Sequence, residues 1–161
     1  VALLGARGTE GPPSLAACLG DRSLCLRELE LGASGAVVRR MTRQPSRSGE
    51  WVGLCAHPAK AALYAACAER RVLQLDASGR VVQQLRVGGA DTELHAPLRL
   101  SGDGRLLAVG LAAASRSHGT GAASGPSFVS QGILLLQADP TLRPLACLVG
   151  HCGPPRGLAF V

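Results

Sequence analysis

The stretch ASGAVVRRM at residues 33–41 returns as ASGRVVQQL at residues 77–85, so that Ala33 and Ala77 stand forty-four positions apart. LCAHPAKAALYAA (54–66) and LRLSGDGRLLAVG (98–110) share that offset, and each reads as an apolar stretch, a turn and a second apolar stretch. Two separate matches at one spacing make chance a poor explanation. LAACLGDRSLCLRE (15–28) aligns with LYAACAERRVLQLD (63–76) at an offset of forty-eight, and LELG at 29–32 accounts for the four extra positions. A chain written in units of ~40 to 45 residues folds as an array, because each unit is one supersecondary element that buries its apolar faces only against its neighbours.

Within a unit the pattern is four short strands separated by turn residues. In the middle unit these fall at about 51–56, 61–67, 71–76 and 80–87, followed by GGADTELHA. Helical repeats of this length need amphipathic runs of about ten residues or more, which the Gly, Pro and Ser punctuation interrupts. Four strands per unit at this period predict an all-β fold, a partial β-propeller of about three four-stranded antiparallel blades plus the opening strand of another. The blades are expected at about 1–42, 51–87 and 96–149, with the next beginning at 156–161, where GLAFV aligns with GLCAH and PLRLS. From Leu98 to Leu158 the distance is sixty rather than forty-four, and AAASRSHGTGAASGPSFVSQ (112–131), rich in Ser, Gly and Ala, reads as the loop insertion that accounts for the excess.

These residues resemble the WD40-repeat β-propeller family. SGDGRLLAVG is similar to the first hairpin of a repeat, with Asp103 and Gly104 in its turn, and Gly150-His151 before PPRGLAFV resembles the dipeptide that opens one. GDRSLCLREL resembles the tight turn and third strand, with Asp21 at the turn aspartate and Arg27-Glu28 where Trp-Asp would stand. The repeats are degenerate: Leu75-Asp76 and Leu136-Gln137 are the nearest equivalents of the Trp-Asp pair, and His151 and Asp21 fall in different blades. Propellers close with four to eight blades, so the rest of the ring is expected from the same, longer chain.

Composition bears on chemistry and setting. Hydrophobic residues make up 47% of the 161, yet Trp51, Tyr64, Phe128 and Phe160 are the only aromatics, so the core must be built from Leu, Val and Ala. No apolar run reaches the roughly 18 residues of a membrane span, and no secretory signal opens the chain. The six cysteines, Cys18, Cys25, Cys55, Cys67, Cys147 and Cys152, contain no C-x-x-C pair and are read as reduced thiols in apolar strands. Cys147, His151 and Cys152 lack the second half of a zinc site, and no metal or cofactor is expected. Ser101, Asp103, His57 and His95 are residue types a hydrolase uses, but they occupy repeat turns, and nothing resembles a nucleophile elbow. SHGTG (117–121) is not followed by the Lys-Ser/Thr and helix of a phosphate-binding loop. The expectation is a protein without catalytic activity.

The net charge is +6, and Lys60 is the only lysine. In the family's topology the loops between second and third strands share one face with the connections between blades. That arrangement implies a basic face holding Arg22, Arg70, Arg71 and Arg116 from the inner loops and Arg43, Arg47 and Arg156 from the connections, against Asp21, Glu50, Glu69, Asp91 and Glu93. Such a face suits an acidic protein surface. Nucleic acid is disfavoured, since stacking aromatics are nearly absent. Arg39, Arg40 and Arg86 fall on outermost strands, where charge protects an edge. The expected function is a protein-interaction scaffold in the cytoplasm, within a large protein of microtubules, cilia or centrioles, with tubulin as partner; the alternative is a signalling adaptor for a kinase or ubiquitin-pathway partner.

Overall fold

The computed structural model describes residues 2–4, 14–20, 23–32, 35–45, 50–76, 78–88, 92–113, 131–151 and 155–161, with side chains from residue 50 onward except at 113 and 151. All regular structure in these residues is β-strand, as expected. The first sheet holds β1 (Ala2–Leu4), β2 (Ser14–Gly20), β3 (Ser23–Gly32) and β4 (Gly35–Pro45); the second holds β5 (Trp51–Ala56), β6 (Ala62–Cys67), β7 (Arg71–Asp76) and β8 (Val81–Arg86). The third holds β9 (Thr92–Leu100), β10 (Leu106–Ala113), β11 (Gln131–Gln137) and β12 (Arg143–His151). Each sheet is a four-stranded antiparallel meander in chain order. Every pair of segments matched by the repeat occupies equivalent strands: 33–41 and 77–85 lead into β4 and β8, and 54–66 and 98–110 form the β5–β6 and β9–β10 hairpins.

The sheets meet at their first strands. β5 packs along β9 and also against β1 and β2, while β4, β8 and β12 close the opposite ends of their sheets. Sheets joined at one edge and parted at the other form a sector of a propeller, with β1, β5 and β9 innermost. The close approach at that line needs a residue without a side chain: a Cβ placed on Gly53 in β5 would lie 2.5 Å from Cβ of Leu98 in β9.

The second sheet shows how the cores form. β6 is buried along its whole length, because alternation sends its side chains to two different cores. Tyr64 and Ala66 join Val72, Val87, Leu94, Leu98, Leu107, Val109, Leu111, Leu134 and Leu136 in the core shared with the third sheet. Leu63, Ala65 and Cys67 join Trp51, Leu73 and Leu75 on the opposite face, toward the first sheet. Small Ala and Leu side chains fill both layers, and Tyr64 is the largest fully buried residue. At the rim, β8 and β12 expose Val82, Leu145, Leu148 and Val149.

Three segments depart from the sequence reading. β4 continues beyond 42 to Pro45, because β3 pairs with it through Cys25↔Arg43 and Ser23↔Pro45. Arg43 therefore stands on an outermost strand and not in a connection. β12 likewise runs through Gly150 to His151, opposite Gln131, so this dipeptide ends the third sheet instead of opening the next unit; Gly150 has φ of 113°. Residues 156–161 join no ladder, having no described strand beside them, and Pro155 instead lies against β10 of the third sheet, its Cγ 3.1 Å from a Cβ built on Gly110.

Candidate functional site

At one end of the sector the turn between β6 and β7 meets the connection between the second and third sheets. Ala68 N–H donates to Glu50 O at 2.8 Å, Val87 N–H to Arg70 O at 2.8 Å, and Leu94 N–H to Ala68 O at 3.4 Å. Arg70 holds φ of 67°, and its side-chain Cδ lies 3.9 Å from a Cβ built on Gly88, which itself has φ of 79°. Arg71, the first residue of β7, donates from a guanidinium NH2 to Glu69 Oε2 at 3.2 Å. The β6–β7 turn and the backbone on either side of this connection are thus neighbours in space.

The positive charge at this end is partly matched. Among the described residues of the expected face, Arg71 is paired with Glu69 at 3.2 Å, and Glu50 O is held by Ala68 N–H of the same turn; Arg156 is exposed. Arg22, Arg47 and Arg116, together with Asp21, lie outside the described residues, and so does most of the expected insertion, 114–130. For Arg43 and His151 the described structure gives only their places on β4 and β12.

The opposite end carries the hairpin turns. In the β9–β10 turn, Ser101 Oγ donates to Asp103 Oδ1 at 2.6 Å and accepts from Leu106 N–H at 2.9 Å, while Arg105 N–H donates to Asp103 Oδ1 at 3.0 Å. Gly104 takes φ of 76°, the conformation that the turn demands and that glycine adopts freely. Asp76 closes the β7–β8 turn in the same manner, accepting from Ser78 Oγ at 2.6 Å, Ser78 N–H at 2.8 Å and Arg80 N–H at 3.0 Å. The Ser101 hydroxyl foremost holds the Asp103 carboxyl below the usual carboxylate range, and the Ser78 hydroxyl does so for Asp76.

In the β5–β6 turn His57 takes the role of Ser101. Its Nδ1 accepts from Ala59 N–H and Lys60 N–H, both at 3.0 Å. No hydrogen bond joins His57 Nε2 to the Ser101 hydroxyl, and that hydroxyl gives its proton to Asp103, so these groups do not form a charge-relayed nucleophile. Burial pushes the Cys55 thiol up to about 12, which leaves it a poor thiolate. Cys55, Cys67 and Cys147 are free thiols. Among the described residues no group of three His, Cys, Asp or Glu is placed to hold a metal.

A set of side chains that the sequence reading did not single out stitches the second sheet to the third. Tyr64 Oη donates to Ala138 O at 3.1 Å, and Lys60 Nζ lies 2.6 Å from Asp139 Oδ1. Gln83 on β8 donates from its amide to Pro140 O at 3.1 Å and accepts Leu142 N–H at 2.8 Å. These partners are far apart in sequence and carry no shared motif, so linear pattern gave no signal for them.

No family model matches the chain, and no curated protein matches it. Among solved structures the chain is similar to the crystal structure of the Myceliophteria thermophila Cps50 (Swd1) β-propeller domain, with a TM-score of 0.39 and 9% sequence identity. The similarity covers 84% of this chain and 57% of that one, so the chain spans a little over half of that structure. The propeller architecture is established here by the sheets' own order and packing.

Proposed function

We propose that this chain is part of a WD40-type propeller that serves as a protein-interaction scaffold without catalytic activity, the remaining blades coming from the same, longer protein. The observation that carries the reading is the second sheet, which is covered on both faces by neighbours and presents only its turns and its outermost strand. In such an array the strands are rigid and the clustered turns at the two ends are the adaptable surface. Ser101 Oγ, Asp103 Oδ1 and His57 Nδ1 are each engaged within their turns, which favours a structural over a catalytic role for them.

The end holding Arg70 and Arg71 is the proposed docking face, with Arg156 as its proposed further member, and an acidic protein surface is the proposed partner. Tubulin, within a microtubule, ciliary or centriolar scaffold, is the specific partner proposed from the arginine-rich, degenerate repeats. In co-sedimentation of the parent protein with microtubules across a salt series, binding is expected to fall with salt and to drop at least about tenfold in Arg70→Glu/Arg71→Glu. Because Arg71→Glu sets a second carboxylate beside Glu69, thermal unfolding of the variant is measured in parallel and is expected to stay close to wild type. Absence of binding at low salt would remove tubulin as partner and leave the soluble adaptor of a kinase or ubiquitin-pathway protein.

A further inference from the structure

The turn that follows β5 places a titratable ring inside the seam between the second and third sheets. His57 is only 5% exposed. Its Nδ1 accepts two backbone N–H groups and therefore carries no proton, so the neutral ring holds its hydrogen on Nε2. That nitrogen is buried and has no hydrogen-bond partner. The ring abuts Gly104 in the β9–β10 turn of the third sheet so closely that a Cβ at position 104 would overlap it.

The ionisable groups around the ring are few. Lys60 belongs to the same turn and is engaged by Asp139 of the β11–β12 turn. Asp103 and Arg105 flank Gly104, with 4.0 Å between carboxylate and guanidinium, and Tyr64 on β6 is engaged by Ala138 O. We propose that His57 is a proton-operated joint: neutral, it caps the β5–β6 turn and seats the second sheet against the third; protonated, it releases the turn and loosens the seam.

The physical reason lies in Nδ1. A proton there replaces an acceptor with a donor facing the two donor amides of Ala59 and Lys60, so both capping bonds are lost together. The new charge would sit where Nε2 finds no acceptor and where Asp139 is already committed to Lys60. Burial foremost, then Lys60, lowers the ring's proton affinity below that of an ordinary histidine, while Asp139 works in the opposite direction. With the folded value lowered, the open joint binds the proton better than the closed one. Closure is thus complete above pH of about 6.5 and is lost as pH falls from there toward the folded value. The carboxylates of Asp76, Asp103 and Asp139, all held below the usual range, titrate in a more acidic window.

The test is a histidine-ring NMR titration of the full chain, combined with folding equilibria of wild type and His57→Ser from pH 8 to pH 5. Serine keeps a capping oxygen, as Ser101 does in the third sheet, and removes the titration. The expected result is a neutral His57 protonated on Nε2 that titrates below an ordinary histidine. Its folding constant is expected to fall by up to about tenfold per pH unit below about 6.5, and His57→Ser to be flat over that window. A His57 titrating at the ordinary value, or a His57→Ser protein with the wild-type pH dependence, overturns the proposal; should the variant fail to fold, the wild-type ring titration decides alone.

Discussion

Tyr64 is the single tyrosine of the chain and lies fully buried on β6. Its hydroxyl reaches across the seam to Ala138 O, and burial, with Asp139 and Cys55 nearby, pushes it up to about 12, so it remains a neutral donor throughout the physiological range. Tyr64→Phe keeps the ring but strands a buried carbonyl, and an expected loss of about 1–3 kcal/mol is checked by urea unfolding. Residue roles were unevenly legible in the sequence. Ser101, Asp103 and Gly104 could be read as a tight turn because their side-chain chemistry is local, completed within five positions. His57 could be read as a turn residue, since it aligns under Ser101, but the surface its ring meets belongs to another sheet, and no spacing along the chain records that.

Strands were the most legible level, for a definite reason. In the middle unit the turn residues His57 to Ala61, Ala68 to Arg70 and Ser78 to Arg80 interrupt apolar alternation at each end, so expected and observed strands agree within one residue. Where ladder pairing outlasts the local pattern, the reading stopped short. Arg43 and His151 sit in polar or turn-like sequence yet remain paired opposite Cys25 and Gln131, since a partner strand supplies backbone groups whatever the side chains signal. Gly53 carries an element-scale prediction. With 2.5 Å between a Cβ there and Cβ of Leu98, Gly53→Ala must push β5 and β9 apart, a cost of about 1–3 kcal/mol. Thermal unfolding checks it, and an unchanged midpoint would show that the innermost strands do not meet at Gly53.

Among the described residues two cores, one on each face of the second sheet, hold the sheets together, and the one shared with the third sheet includes the fully buried Leu107. Leu107→Asp places an unpaired charge among Leu98, Leu136 and their neighbours, and is expected to cost about 3–5 kcal/mol. Because that core is common property, hydrogen exchange should quicken in β6 and β7 as well as in β9 to β11; protection lost from the third sheet alone would mean that the two sheets fold independently. The sequence disclosed the period and the four-strand unit, since both are written along the chain, but not the sharing of cores, which depends on which face of each strand meets which neighbour. That sharing has an arithmetic of its own. A row of n such sheets encloses n − 1 cores, so each added copy of the unit contributes a whole core while the number of uncovered faces stays at two. Duplication of the unit is therefore self-reinforcing, and it stops gaining only when the last face meets the first.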